Sequence, residues 1–94
     1  MHYSNPKILL ITVRADFGGG PEHVFQLLKY LFTDFNFYVA APKDFPYYEK
    51  YLEVVGKDRI INIPHRKFRL STFLKLRSFI LKNKISIIHS HGKG

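Results

Sequence analysis

The chain has 94 residues, of which 46% are hydrophobic and 16% aromatic, and it contains no cysteine. This length permits one small domain, and the apolar content argues against intrinsic disorder. The absence of cysteine excludes a disulfide framework and a thiolate zinc site. The longest early apolar run, residues 8–13, is far shorter than the roughly 20 residues of a membrane span. We therefore expect a cytoplasmic protein.

The net charge of +8 is concentrated in one part of the sequence. Residues 57–84 contain nine Lys or Arg residues and a single acidic residue, whereas opposite charges cancel in the rest of the chain. A basic segment of this kind can contact nucleic acid, an anionic membrane or phosphate groups. It can equally be a solvated surface, and the charge alone does not distinguish these alternatives.

The first predicted elements are a strand and a helix. Residues 7–13 (KILLITV) are almost continuously apolar, as in a strand that is buried on both faces of a parallel sheet. A glycine-rich loop then leads into a helix whose first position suits Pro21. Four apolar positions have the i, i+3, i+4, i+7 spacing of an amphipathic helix: Val24, Leu27, Leu28 and Leu31.

A second strand, a short helix and a third strand come next. Residues 36–41 (NFYVAA) form another apolar run of the buried-strand type. Pro46 and Gly56 bound a short helix over residues 47–55, since proline favours a helix start and glycine a helix end. Residues 59–63 (RIINI) predict the third strand.

The last predicted elements are a helix over residues 71–83 and a fourth strand over residues 85–90. Five apolar residues are expected to form the buried side of this helix: Phe73, Leu74, Leu76, Ile80 and Leu81. Arg77 falls inside that apolar side. Its charged end must therefore extend to solvent or contact a specific partner.

This alternation of strands and helices predicts an α/β protein with a Rossmann-like open parallel sheet. We expect four strands in the order 3-2-1-4 and three helices, with residues 1–94 forming one domain or part of one. In such a sheet, ligands bind at the carboxyl ends of the strands, near the point where the strand order reverses. That point lies between the first and fourth strands, so the loops after these strands should be neighbours.

The loop after the first strand has the features of a phosphate or oxyanion cradle. Gly18, Gly19 and Gly20 allow a ligand to approach the backbone, and the helix that follows offers unpaired N–H groups. The segment matches neither the dinucleotide fingerprint nor the P-loop. The alternative is a glycine turn that only permits tight strand-to-helix packing. His23, in the first helical turn, either faces a ligand or is buried with its hydrogen bonds satisfied.

His89 and His91 stand two residues apart at the end of the fourth predicted strand, so their side chains can share a face. A metal site would need a third ligand, and no carboxylate is present in this part of the sequence, so we expect no metal. A histidine opposite a glycine-rich loop suits hydrogen bonding to a polar substrate. Lys93, in the same terminal loop, is a further candidate for phosphate binding.

Two stretches resemble the amino-terminal domain of the family 4 glycosyltransferases: KILLITV-x4-GGGPEHVFQLLKYL near the start and SIIHSHGKG at the end. These are retaining enzymes of the GT-B fold, and many of them build bacterial capsule, exopolysaccharide or lipopolysaccharide. The resemblance extends over residues 7–94. It departs from the family pattern at Ile85 and Ser86, where the family usually has Pro-Asp.

The resemblance implies that Gly19 and Gly20 face the bound sugar nucleotide and acceptor, and that His91 lines the active site near the transferred sugar. We accordingly expect His91 to be catalytic. The residues expected to bind substrate or phosphate are Gly18, Gly19, Gly20, His23, His89 and Lys93. The implied substrates are a UDP- or GDP-sugar and a glycan or lipid-linked acceptor, with no cofactor.

The resemblance also implies that the chain is a fragment that is inactive alone. A GT-B enzyme has a second Rossmann-like domain, whose donor-binding E-x7-E element this sequence lacks. We expect self-association through the exposed strand at residues 85–90 and contact of residues 57–84 with an anionic membrane. The alternative is a stand-alone basic module for nucleic acid or phosphate-rich ligands. The sequence contains no recognisable nucleic-acid motif, and Phe73 falls on the predicted buried side of its helix.

Overall fold

The computed structural model describes residues 6–13, 15–16, 18–64 and 69–91, with the backbone alone at residue 91. Strands and helices alternate along the chain. In order, they are β1 (Lys7–Thr12), α1 (Gly19–Leu31), β2 (Asn36–Ala41), α2 (Tyr47–Val55), β3 (Ile60–Asn62), α3 (Leu70–Asn83) and β4 (Ile87–His91). A single 3-10 turn, Lys57–Arg59, precedes β3.

The four strands form one parallel sheet in the order β3-β2-β1-β4. Within it, residues 7–11 lie opposite residues 36–40, and residues 8–12 lie opposite residues 87–91. The predicted fold class, strand order and number of helices are therefore confirmed. Because all the strands run in the same direction, their carboxyl ends lie along one edge of the sheet, which we call the carboxyl edge.

Two apolar clusters cover the two faces of the sheet. The cluster on the face covered by α1 and α2 contains Leu10, Ala15, Val24, Leu28, Phe37, Val39, Ala41, Tyr47, Tyr51, Val55 and Ile60. The cluster beneath α3 contains Leu9, Ile11, Tyr38, Ala40, Ile63 and Leu76. Successive residues of β1 and β2 thus point into opposite clusters, which explains why residues 8–11 and 37–41 are apolar at consecutive positions.

The bounds of α1 and β4 differ from the prediction in small, explicable ways. α1 begins at Gly19, so Pro21 occupies the third helical position, where a missing N–H still costs no hydrogen bond. β4 begins later than predicted because α3 ends with Lys84 in the left-handed conformation. The Ile85 amide donates to the Ile80 carbonyl at 3.0 Å, so Ile85 closes the helix and does not start the strand.

The predicted buried side of α3 is wrong for Phe73, Leu74 and Leu81, all of which are exposed. The helix instead buries Thr72 and Leu76. Its half-buried positions are Phe79, Ile80 and Asn83. The physical reason is that α3 packs over β1 and β2, so only one narrow stripe meets the sheet. Among the described residues, no helix is long and apolar enough to cross a bilayer.

Candidate functional site

The ends of β1 and β4 lie next to each other at the carboxyl edge. Thr12, the last residue of β1, is the pairing partner of His91, the last residue of β4. Two pairs earlier, Leu10 lies opposite His89. The glycine-rich loop and the terminal histidine segment therefore leave the sheet from neighbouring positions.

The glycines at the start of α1 leave open space in front of the helix. Gly18 has φ 151° and ψ 169°, a conformation that favours glycine, and it contributes no side-chain cap. Gly19 and Gly20 are exposed, and a Cβ built on either residue would meet no atom of the other described residues within 4 Å, apart from its chain neighbours and the backbone of its own helix. Tight strand-to-helix packing therefore does not require glycine at positions 19 and 20. The open space is compatible with a ligand that approaches the first-turn N–H groups.

His23, the fifth residue of α1, is exposed, which excludes the alternative of a buried histidine. It lines a surface groove of about 280 Å³ together with Gln26, Leu27, Tyr30 and Leu31. The buried residues of the helix are Pro21, Val24 and Leu28. His23 is therefore on the solvent side of α1, where it is accessible to a ligand.

The backbone of β4 is described through His91, whereas its side chains are described only through Ser90. His89 is exposed on β4. The side chain of His91 and the whole of Lys93 lie outside the described residues, so their predicted roles remain predictions. Within the described part of the chain, no three His, Cys, Asp or Glu side chains cluster as they would around a metal ion.

Glu22 connects the first turn of α1 to α2. Its carboxylate accepts hydrogen bonds from the Tyr47 hydroxyl and from Nε2 of Gln26. These two bonds hold the pKa of Glu22 below its usual value, and the bond to Glu22 raises the pKa of Tyr47. The Tyr51 hydroxyl donates to the Pro21 carbonyl at 2.9 Å, and burial raises the pKa of Tyr51. Two hydrogen bonds thus connect the first turn of α1, next to the glycines, to α2.

A second polar region, which was not predicted from the sequence, lies farther along the carboxyl edge. A cavity of about 480 Å³ opens where β2 and β3 end and α3 begins. It is lined by Pro42, Lys43, Asp44, Asn62, Ile63, Pro64, Ser71, Thr72 and Lys75. The sequence does contain a pattern that indicates this region. Polar residues follow the second strand, the third strand ends on a polar residue, and polar residues lie in the first turn of the last helix. Ligands bind at the carboxyl ends of strands in sheets of this kind, and this holds for β2 and β3 as well as for β1 and β4.

An apolar groove of about 450 Å³ separates α3 from β4. It is lined by Ile11, Phe73, Leu76, Arg77, Ile80, Leu81 and Ile88. Ile88 is 53% exposed, whereas its pairing partner Leu9 is fully buried. Arg77 is exposed at this groove, which agrees with the expectation that its charged end extends from an apolar surface.

Comparison with known proteins gives no match for this chain. No protein-family model, no curated protein and no solved structure is similar to it. A function for this chain must therefore be inferred from the residues described above and from the resemblance of its two sequence motifs to those of the family 4 glycosyltransferases.

Proposed function

We propose that the chain is the acceptor-side domain, or part of it, of a retaining glycosyltransferase. Such an enzyme would transfer a sugar from a nucleotide-sugar donor during synthesis of a cell-surface polysaccharide or glycolipid. The observation that carries the proposal is the direct pairing of β1 with β4, in which Thr12 lies opposite His91. This pairing supports a common site for the two motifs that resemble the family.

In this proposal, the open start of α1 and the end of β4 form one side of a cleft. The exposed Gly19 and Gly20 let a phosphate or acceptor oxygen approach the helix N–H groups. His91 forms a hydrogen bond at the transferred sugar. A second, donor-binding domain supplies most of the positive charge that stabilises the departing nucleotide diphosphate. The 94-residue chain is therefore expected to have no transfer activity alone.

The outward side of α3 supports an additional proposal, that the protein rests on an anionic membrane that bears a lipid-linked acceptor. Leu70, Leu74 and Leu81 are exposed on this helix, and the exposed Arg77 lies among them in the helical periodicity. Exposed apolar side chains beside basic groups are typical of helices that lie in the membrane interface.

Vesicle sedimentation tests the membrane proposal. We expect the chain to bind phosphatidylglycerol vesicles and not phosphatidylcholine vesicles, because anionic headgroups attract the basic segment. Leu74→Ser should weaken this binding, whereas Ser78→Ala, an exposed control on the same helix, should not. Equal binding to both kinds of vesicle, or none to either, would contradict the proposal.

One observation favours the alternative of a basic nucleic-acid-binding module. Phe73 is 62% exposed, and it lines the same groove as Arg77. An exposed aromatic ring near an arginine can stack on an unpaired base. This alternative predicts tight binding to single-stranded oligonucleotides that decreases steeply with salt. Weak binding at every salt concentration would exclude it.

The transferase proposal can be tested on the protein as its own cells make it. An antibody raised against this chain would be used to isolate the protein natively, together with any further domain or partner. We expect the isolated material to transfer label from a UDP- or GDP-sugar to a glycan or lipid fraction from the same cells. Absence of transfer with every donor and acceptor fraction would contradict the proposal.

A further inference from the structure

The cavity between the ends of β2 and β3 and the start of α3 has no role in the proposed function. Its volume of about 480 Å³ is in the usual range for a small-molecule site. In the sheet, β1 separates β4 from the strands that form this cavity. Whatever the cavity binds is therefore held at a place distinct from the meeting point of β1 and β4.

Thr72 indicates that the cavity holds a polar ligand. Its side chain is only 4% exposed, and the residue lines the cavity. Its hydroxyl has no hydrogen-bond partner among the residues that the structure describes, whereas the equally buried Thr12 has an interaction partner. Native proteins rarely leave a buried polar group unpaired. A buried hydroxyl of this kind beside a cavity is a preformed donor for a bound group.

The start of α3 favours a negatively charged ligand. Arg69 is the N-cap residue and provides no side-chain hydrogen bond to the helix. The amide of Phe73 makes the bond to the Arg69 carbonyl, at 3.0 Å, so the N–H groups of residues 70–72 precede the first helical hydrogen bond. Unpaired N–H groups and the positive end of the helix dipole both attract anions.

The charged side chains around the cavity have a positive balance. Lys75 donates from Nζ to the Asn62 carbonyl at 2.8 Å, which holds its ammonium group beside the end of β3. Lys43 adds a second positive charge to the lining. Asp44 is the one carboxylate among the described lining residues, and it accepts a hydrogen bond from the Ala15 amide at 3.1 Å. The two ammonium groups thus outweigh one carboxylate that is already engaged.

We propose that this cavity binds a phosphate group carried by a small molecule or by a lipid headgroup. The hydroxyls of Ser71 and Thr72 and the first-turn amides of α3 donate hydrogen bonds, and Lys75 supplies positive charge. A phosphate has three strong acceptor oxygens and suits this many donors better than a carboxylate does. The proposal does not depend on the transferase function, since it uses other strands.

Nuclear magnetic resonance of the 15N-labelled chain tests this proposal. Titration with inorganic phosphate should give saturable shifts of the amides of residues 70–72. Thr72→Val should weaken phosphate binding about fivefold, as expected for loss of one hydrogen bond. The same substitution should not lower the stability measured by urea unfolding, because the hydroxyl has no partner to lose among the described residues. Lys75→Gln should weaken binding at least as much, whereas Lys82→Gln, an exposed change outside the cavity on the same helix, should not.

The source of the phosphate is distinguished by competition. If the ligand is a soluble small molecule, glycerol 3-phosphate should displace inorganic phosphate. If the ligand is a lipid headgroup, a short-chain, water-soluble phosphatidic acid should displace it. Either result supports the site. Three results would overturn it: shifts that do not saturate, Thr72→Val binding phosphate as well as the wild type, or Lys82→Gln weakening binding as much as Lys75→Gln.

Discussion

Gly19 and Gly20 are not required by the packing that the structure describes, and we propose that they serve a site instead. Both are helical and exposed, and in the part of the chain that the structure describes neither has a packing neighbour that a Cβ would touch. Glycine in a helix is less favourable than alanine by about 0.5–1 kcal/mol, because the unfolded chain loses more conformational freedom. These two positions therefore retain a residue that the fold itself does not favour.

Gly20→Ala is expected to separate stability from function. The free energy of unfolding, measured by urea denaturation of the 94-residue chain, should be unchanged or higher by up to about 0.5 kcal/mol. Sugar transfer by the natively isolated protein should decrease, because the methyl group occupies the space in front of the helix. A loss of stability with no change in transfer would instead show that glycine serves packing at this position.

The bond between Tyr47 and Glu22 predicts a pH dependence of stability. The pKa of Glu22 in the folded chain lies below its usual 4.5, so its contribution is present above that pH and is lost as the pH falls through the folded value. Tyr47→Phe removes the donor that lowers this pKa most. The variant should be less stable than the wild type at pH 7, and the difference should shrink below about pH 4.

Urea unfolding at several pH values between 3 and 7 measures this difference. Tyr30→Phe, at an exposed position on α1, is the matched control and should follow the wild type at every pH. A stability difference between Tyr47→Phe and the wild type that stays constant over the whole range would contradict a role for the Glu22 carboxylate.

At the scale of elements, β4 is the least covered part of the sheet. Ile87 is 45% exposed and Ile88 is 53% exposed, although their pairing partners in β1 are less exposed or buried. Among the described strands, β4 pairs with β1 alone, so its outer edge is open. An apolar open edge is a template for pairing with another strand. We therefore expect two copies of the isolated chain to associate through β4.

Ile88→Lys tests this association. Sedimentation of the isolated chain should show concentration-dependent dimers, and the substitution should shift the protein towards monomers, because a charge at an edge strand opposes pairing. Leu70→Lys introduces the same charge at an exposed apolar residue outside the groove and should leave the dimers unchanged. A wild-type chain that stays monomeric at high concentration would contradict the expectation.

The elements themselves were largely predictable, because continuous apolar runs and helix-bounding residues are local signals. The second strand and the 47–55 helix were predicted with their observed bounds. The buried side of α3 was not, because its sequence offers more apolar positions than the sheet covers. Which of Leu76 and Leu81 faces the sheet depends on where the helix lies over β1 and β2. Periodicity within the helix cannot determine that.

At the scale of the whole molecule, the location of a candidate site could be predicted because the strand order could be predicted. The 3-2-1-4 order follows from alternation and right-handed crossovers, and it places β4 beside β1. The cavity at the ends of β2 and β3 was missed because its polar residues form no recognised motif. That the Thr72 hydroxyl has no partner in the described part of the chain depends on tertiary packing, and no sequence pattern reveals it.

Substitution of His91 tests most directly whether the meeting point of β1 and β4 takes part in sugar transfer, as we propose. The His91 codon would be changed to Ala in the cells that make the protein. Transfer from labelled UDP- and GDP-sugars would then be measured on natively isolated protein, with the amount of protein matched by blotting. We expect the variant to lose about 100-fold or more of the wild-type transfer rate. A variant that transfers sugar at the wild-type rate, or a wild-type protein that transfers none, would contradict it.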